Sequence, residues 1–318
     1  MKINKICGSI DISIIIPAYN EEENVLIIHE EVFSVMEKLN KSYEIIFVDD
    51  GSTDKTCENL KMIKEKDRKT KIINFRKNFG QTAAIDAGIR NSSGNIMITM
   101  DSDLQNDPDD IPKLLTKLDE GYDVVSGWRF DRKDSFPKKF ISKTANFFRK
   151  LIINDLIHDS GCSLKAYRRE CLENVRLYGE MHRFIPALVQ LKGFKVTEIK
   201  VNHRKRKYGK TKYNIKRTLN GFLDMLLIKF WMSYSTKPIH LFGGLGIITG
   251  LSGFILGSYL TYIKLIYGEL IGNRPLLLLS ALLIITGLIL FIFGLLADII
   301  MRIYYREEEN YSITNKNE

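Results

Sequence analysis

The chain has 318 residues, 45% hydrophobic and 27% charged, with a formal net charge of +9 and a pI near 9.2. That length suits one large or two modest domains, the apolar share is enough to bury a core, and the basic balance points to an anionic partner: nucleic acid, acidic lipid or a phosphorylated small molecule. The cysteines Cys7, Cys57, Cys162 and Cys171 include no C-x-x-C pair and no metal spacing, which argues for reduced, core-filling thiols in a cytosolic domain.

Nothing at the N-terminus reads as a signal peptide, because the apolar run Ile12–Ile16 is too short for an h-region. Along the first 130 residues, short apolar strands are predicted at Ile12–Pro17, Glu44–Asp49, Lys71–Phe75, Asn95–Met100 and Asp123–Ser126. Between them, helices are predicted at about 21–40, 54–66, 80–91 and 108–119, with Ser, Thr, Asp, Asn and Gly signals near their ends. This alternation implies an α/β fold with a mostly parallel, doubly wound sheet. Ligands of such sheets bind beyond the carboxyl ends of the strands.

Three of those ends carry polar loops: Pro17-Ala18-Tyr19-Asn20-Glu21-Glu22, Asp49-Asp50-Gly51-Ser52-Thr53-Asp54 and Asp101-Ser102-Asp103-Leu104-Gln105. Singly each has a bland explanation: Asn20, Ser52 or Thr53 as helix caps, Asp49 as a turn pin. Together on one sheet edge they point to a site. A hard divalent cation takes oxygen ligands, and Mg²⁺ or Mn²⁺ joins one or two protein carboxylates to substrate phosphates. Asp103 is the candidate carboxylate, with Asp101 and Gln105 beside it. The stretch 200–217 holds nine Lys and Arg and no acid. It reads either as a solvated charge run or, with Tyr208 and Gly209 at its middle, as a shaped loop closing over a diphosphate.

Beyond Pro238 the solvent changes. Residues 239–263 and 275–297 contain no Asp, Glu, Lys or Arg, and each run exceeds the ~20 residues that span a bilayer as a helix. The short link between them makes a helical hairpin, and its glycines at Gly246, Gly250, Gly253 and Gly257 leave room for another helix to approach. Cations flank the outer ends of the hairpin (Lys212, Lys216, Arg217, Lys229 and Lys237 before it, Arg302 and Arg306 after it). The positive-inside rule then places the large domain and both termini in the cytoplasm. Residues 217–235 read equally as a helix lying in the headgroup region or as a core helix of the soluble domain. The organisation expected is a catalytic domain over 1–215, juxtamembrane helices over 216–237, two spans within 238–301 (about 239–263 and 275–299), and a tail over 302–318.

The motifs PAYNEEENV, VDDGSTD, RKNFGQTAAIDAG, MDSDLQNDP, DSGCSLKAYRRE and RKYGKTKY occur in this order. Together they resemble the family 2 glycosyltransferases of the nucleotide-diphospho-sugar (GT-A) fold. More closely, the chain is similar to the membrane-bound polyprenyl-phosphate glycosyltransferases of the dolichyl-phosphate mannose synthase and bactoprenol glucosyltransferase type, over residues 12–300. The resemblance implies that Pro17, Tyr19 and Glu21 line the base and ribose pocket and that Asp50 hydrogen-bonds the base, while Asp49 is structural. It implies Asp101 near ribose and metal, and Asp103 and Gln105 at the metal. Arg206 and Lys212 would hold the diphosphate, and Arg129, Lys138 and Ser142 the acceptor phosphate. Lysine at 138 stands where relatives often have arginine and lacks its bidentate fork.

The reaction implied moves a sugar from a nucleotide diphosphate to polyprenyl phosphate with inversion, aided by Mg²⁺ or Mn²⁺. A phosphate monoester is already largely ionised at neutral pH, so strong base catalysis is unnecessary. Asp159 is then either a base or, as favoured here, a group orienting the cations around the phosphate. Basic residues over 129–150, interleaved with Phe136, Phe140, Phe147 and Phe148, suit a membrane surface or an ordinary amphipathic helix.

UDP-glucose is the first donor expected by family analogy, with UDP-N-acetylglucosamine and GDP-mannose as alternatives, and a bacterial cytoplasmic membrane and envelope glycan as the setting. The competing readings are a processive polysaccharide synthase, which lacks its Q-x-x-R-W motif here, and a non-catalytic nucleotide-sugar-binding membrane scaffold. No RNP, helix-turn-helix or zinc signature supports nucleic-acid binding. A homo-oligomer is compatible with the glycine-spaced span.

Overall fold

The computed structural model describes residues 10–130, 157–173, 175, 177, 179, 181–208, 229–230, 233–234, 237–268, 270 and 275–305. The chain divides into two compact units, Met1–Leu226 and Leu227–Glu318.

The first unit is built on a seven-stranded sheet. In chain order its elements are β1 (Ile12–Ala18), α1 (Val25–Lys38), β2 (Tyr43–Asp49), α2 (Thr56–Lys66), β3 (Thr70–Asn74), α3 (Gln81–Arg90), β4 (Ile96–Thr99), a 3₁₀ turn (Pro108–Asp110), α4 (Ile111–Asp119) and β5 (Val124–Trp128). Then follow β6 (Lys165–Arg168), α5 (Arg169–Leu172), a second 3₁₀ turn (Met181–Arg183), α6 (Ile185–Leu191) and β7 (Val196–Lys200). The strand order is β3-β2-β1-β4-β6-β5-β7. Only β6 runs against its neighbours, antiparallel to both β4 and β5, while β5 and β7 pair in parallel.

The apolar runs explain the sheet. β1 and β2 are buried along nearly their whole length because helices cover both faces. On one face Ile12, Ile14, Ile16, Ile45, Phe47 and Ile98 pack with Val25, Ile28 and Val32 of α1 and Leu114 and Leu118 of α4. On the other, Ile15, Met97, Val124 and Tyr167 pack with Ile85 and Ile89 of α3 and Ile185 and Val189 of α6. The period-two alternation along each strand assigns these faces.

The register aligns the functional edge. Ala18 pairs with Asp49, Asp49 with Asn74, and Thr99 with Lys165. The carboxyl ends of the parallel strands therefore meet the amino end of β6. Every strand expected from sequence up to residue 130 is present with small shifts, whereas β6 and β7 were not anticipated. The helix expected from 21 starts at Val25, because Asn20 takes a left-handed φ of 53° and residues 22–24 form a turn.

The second unit holds α7 (Pro238–Tyr267) and α8 (Pro275–Tyr305). Both are long and apolar enough to cross a membrane, with mean hydropathy 1.8 and 3.0 over their best windows, of which 17% and 11% is buried. A core helix of a water-soluble domain would be mostly covered; here Ile248, Phe254, Ile255, Leu265, Leu278 and Ile300 stand exposed. The faces in contact are made of small residues. A β-carbon on Gly246 would lie 2.6 Å from the carbonyl oxygen of Gly287, and one on Gly287 2.5 Å from the backbone nitrogen of Gly250. Ser280 adds a 2.8 Å hydrogen bond to the Gly253 carbonyl. The close helix approach expected from the glycine spacing thus takes place inside the hairpin. Of the juxtamembrane segment, Phe230 is described and rests its ring against Phe242 of α7, with centroids 5.8 Å apart.

Candidate active site

The first two edge loops are stitched to one another. The Asn20 N–H donates to Ser52 Oγ at 2.9 Å, and Asn20 Oδ1 accepts from the Thr53 N–H at 2.8 Å. Thr56 Oγ1 accepts from the Glu21 N–H at 2.9 Å. Asn20 and Ser52, the candidate helix caps, are therefore loop-to-loop ties. Asp49 is the turn pin it was expected to be, accepting from the Ser52 N–H at 3.0 Å. The loop is tight as well: Gly51 has φ +71°, and a β-carbon there would lie 2.4 Å from the Lys77 carbonyl carbon, so no other residue fits.

Asp50 brings in a third loop. Its two oxygens accept from the Phe79 and Gly80 N–H groups at 2.7 and 2.9 Å, which holds the turn before α3. A carboxylate keeps acceptor capacity beyond two bonds, so this structural role leaves room for the base contact implied by resemblance. Pro17, Tyr19 and Glu21 sit half-buried on the same edge. Ser102 Oγ donates to the Pro17 carbonyl at 3.0 Å and joins the β1 loop to the β4 loop.

The acids that follow β4 sort into two groups. Asp101 Oδ1 accepts from Gln81 Nε2 at 2.7 Å. Asp103, 7% exposed, accepts from the Gln105 N–H at 3.1 Å and from Arg206 at 2.6 Å. Burial, and then the neighbouring Asp101 charge, push the Asp103 carboxyl up to about 6 against the pull of Arg206. Leu104, between Asp103 and Gln105, takes φ +61°, a left-handed conformation that costs a non-glycine residue about 1–3 kcal/mol and clusters at functional sites.

Asp107 and Asp110 do something else. Asn202 donates from its backbone N–H to Asp110 at 2.6 Å and from its side chain to Asp107 at 2.8 Å. Arg204 spans Asp107 and Glu31, both at 2.7 Å, and its backbone N–H donates to the Gln105 carbonyl at 2.9 Å. These acids dock the basic stretch beside the β4 loop, which delivers Arg206 to Asp103. Sequence reasoning did not find them as anchors, nor Gln81 as the residue holding Asp101.

A second cluster lies where β5 ends and β6 begins. Arg129 grips Asp159 with two parallel bonds, Nε to Oδ2 at 2.7 Å and a terminal guanidinium nitrogen to Oδ1 at 3.0 Å. Burial alone would lower the Arg129 pKa; the bond to Asp159 and the attraction of nearby negative charge, Asp159 first, together outweigh it, so the guanidinium stays fully charged. Cys162 is buried, and that burial pushes its thiol up to about 11. It is neutral filler, as expected of these cysteines, and Cys57, Cys162 and Cys171 are all free thiols.

Lys138, Ser142 and Lys212, together with the phenylalanines interleaved over 136–148, fall outside the described residues. Asp101, Asp103, Gln105 and Arg206 come together; Arg129 and Asp159 come together; and electrostatic coupling of Asp101 to Arg129 links the two groups.

Asp101 and Asp103 form an oxygen-only donor pair, and the charge of Asp101 helps to raise the proton affinity of the buried Asp103, so the pair calls for further positive charge. Among the described residues no group of three His, Cys, Asp or Glu could cage a metal ion. This donor set fits a hard divalent cation that completes its shell with substrate phosphates.

Comparison with known proteins decides the family. The model for "Glycosyl transferase family 2" matches residues 13–176, about half the chain. The chain belongs to glycosyl transferase family 2. It is 40% identical over 305 residues to dodecaprenyl-phosphate galacturonate synthase of Rhizobium johnstonii, covering 94% of this chain and 90% of that one. It is 36% identical to undecaprenyl-phosphate 4-deoxy-4-formamido-L-arabinose transferase of Salmonella choleraesuis, covering 81% and 77%. The corresponding protein of Photorhabdus laumondii subsp. laumondii is 37% identical, covering 81% and 78%.

The polyprenyl-phosphate glycosyltransferase resemblance is thus borne out, and this family 2 member is a glycosyltransferase. Among solved structures, glucosyl-3-phosphoglycerate synthase from Mycobacterium tuberculosis, in complex with Mn²⁺, UDP and phosphoglyceric acid, superposes with a TM-score of 0.54 at 18% identity, covering 69% of this chain and 78% of that one. At that identity the likeness bears out the GT-A fold alone.

Proposed function

We propose that this glycosyltransferase moves a sugar from a UDP-sugar onto a polyprenyl phosphate at the cytoplasmic face of a bacterial membrane, inverting the anomeric centre. The observation that carries the proposal is the pairing of Asp103 with Arg206 on the same sheet edge as the Arg129–Asp159 pair. One end suits a metal-bound diphosphate and the other an anionic acceptor. For the sugar, a UDP-linked uronic acid takes precedence over UDP-glucose, because the relative matched over 94% of the chain is a galacturonate synthase. UDP-glucose, UDP-N-acetylglucosamine, UDP-4-deoxy-4-formamido-L-arabinose and GDP-mannose complete the panel.

In this reading Pro17, Tyr19, Glu21 and Asp50 line the nucleotide pocket, and Arg206 with Lys212 holds the diphosphate. Asp101, Asp103 and Gln105 would hold Mg²⁺ or Mn²⁺, which supplies charge neutralisation to the leaving diphosphate. Arg129, Lys138 and Ser142 would receive the acceptor phosphate. An acceptor oxygen attacks the anomeric carbon as the bond from that carbon to the diphosphate oxygen breaks, and UDP leaves with the electron pair. The acceptor is already ionised, so no base is required. Asp159, with both oxygens on Arg129, acts by orienting the guanidinium.

Two apolar helices, α7 and α8, would keep the enzyme with an acceptor that does not leave the bilayer, and the cations flanking them favour a cytoplasmic catalytic domain. The test offers the purified full-length enzyme each radiolabelled donor with undecaprenyl phosphate and Mn²⁺ or Mg²⁺. Labelled lipid from one donor is expected; label that stays in the aqueous phase for every donor would overturn the proposal.

A further inference from the structure

Lys165, the first residue of β6, is buried at 2% exposure. In register it stands between Thr99, the last residue of β4, and Ser126, two residues before the end of β5. Among the described residues its ammonium has one hydrogen-bond partner, the Ser160 carbonyl at 3.0 Å, and no carboxylate within ion-pair distance. An ammonium carries three donors, so two remain unspent in a site where unpaired charge is costly. Opposite it in register, the wholly buried Ser126 hydroxyl also lacks a partner among the described residues.

Among the described residues, the surrounding charges do not cancel Lys165. The Asp159 carboxylate is engaged at both oxygens by Arg129, so among the described residues Arg129 and Lys165 face this one carboxylate at the turn 159–161. Asp101 is within electrostatic reach of Lys165, but its carboxylate is held by Gln81 and belongs to the candidate metal pair. Burial pushes the ammonium down to about 8, which leaves it charged at neutral pH. A buried, charged, under-bonded lysine beside a reaction centre is a poor structural element and a good receptor for an anion.

We propose that Lys165 is a substrate-binding cation that receives an anionic oxygen of a reacting substrate. That oxygen belongs either to the acceptor phosphate, which would bridge Lys165 and Arg129, or to the carboxylate of a uronosyl donor. This rests on the transfer reaction proposed above and adds a residue that the family resemblance did not supply.

The test compares purified full-length wild type with Lys165→Met and Lys165→Arg, measuring kcat, both KM values and Tm. Wild type must first form glycolipid; if it does not, the transferase reading fails, and Lys165 has not been the cause. Given turnover, Lys165→Met is expected to raise one KM about tenfold or more, the scale of one lost charge-assisted hydrogen bond, with Tm no lower than wild type. Lys165→Arg is expected to recover part of the affinity.

A rise in KM for undecaprenyl phosphate assigns the oxygen to the acceptor. A rise in donor KM that is present with a UDP-uronic acid and absent with UDP-glucose assigns it to the sugar carboxylate. Unchanged KM values for both substrates overturn the proposal, as does a lowered Tm with a kcat loss alone, which would mark Lys165 as a prop for the turn. If Lys165→Met does not fold, Lys165→Gln carries the same comparison.

Discussion

Arg206 and Asp103 are joined by a 2.6 Å charge-assisted hydrogen bond across 103 positions of sequence. The bond exists because Asp107 and Asp110 dock Asn202 and Arg204 beside the β4 loop. Arg206 thereby lies against the carboxylate that is proposed to hold the metal, at the position where a diphosphate would need a counter-charge.

From this geometry Asp103→Ala and Arg206→Ala are each expected to cut glycolipid formation about 10²–10³-fold, the scale of losing one preorganised electrostatic contact. Initial rates measured against Mn²⁺ concentration separate them. Asp103→Ala should lose the metal dependence, whereas Arg206→Ala should keep it and lose kcat. Wild-type rates from Asp103→Ala would refute the metal assignment.

The edge loops show what pattern reasoning reads well. Strand-then-acid signals such as VDD and MDSD stand at the ends of continuous apolar runs, so Asp50, Asp101 and Asp103 were placed on one edge without coordinates. The strand β6 was illegible because KAYR is four residues long and starts and ends on cations. Its burial comes from two neighbouring strands that are distant in sequence, and propensity carries no trace of that. For the same reason nothing in the local sequence singles out Lys165, or Asp107 and Asp110 as anchors. The partners of these two acids, Asn202 and Arg204, lie more than 90 positions away. The cap reading of Asn20 stayed open in the sequence because local spacing cannot distinguish a side chain that serves its own helix from one that bridges two loops.

Asp159→Asn removes the charge from a carboxylate that Arg129 grips twice. It leaves the guanidinium buried and unpaired, with an expected loss of up to about 3–5 kcal/mol of stability and a reduced kcat. A double-mutant cycle with Arg129→Gln checks the orienting role. Strong coupling between the two substitutions, in Tm and in acceptor KM, is expected. Additive effects would mean that Asp159 acts independently of Arg129, as a base would.

A pH dependence of stability follows from Glu44, at the other end of the sheet. Its side chain is 2% exposed, and it accepts from Ser13 Oγ at 2.6 Å and pairs with Lys71 at 2.5 Å. Burial raises its pKa, but bonds from Lys71, Ser13 and the Ser93 N–H together lower it below the ordinary 4.5. A depressed carboxylate stabilises the fold fully above its unfolded value and loses that contribution as pH falls through the folded value. Glu44→Gln is therefore expected to lower stability by about 1–3 kcal/mol at pH 7. The gap to wild type should close as the pH drops below about 4.5, in thermal melts across a pH series. A gap independent of pH would place the effect in packing.

The hairpin makes its own prediction through contrast between two glycines. A β-carbon on Gly287 of α8 would meet the Gly250 nitrogen at 2.5 Å and the Gly246 carbonyl oxygen at 2.6 Å, while one on Gly244 of α7 meets nothing within 4 Å. Backbone cannot yield as a flexible side chain does, so Gly287→Ala must push the two helices apart. Gly244→Ala gains helix propensity without a clash. The expected result is a loss of about 1–3 kcal/mol for Gly287→Ala and a neutral or slightly stabilising Gly244→Ala. Denaturation of the full chain in mild detergent, followed by helicity, reads both. Equal behaviour of the two variants would mean that the α7–α8 contact is not made through this glycine face.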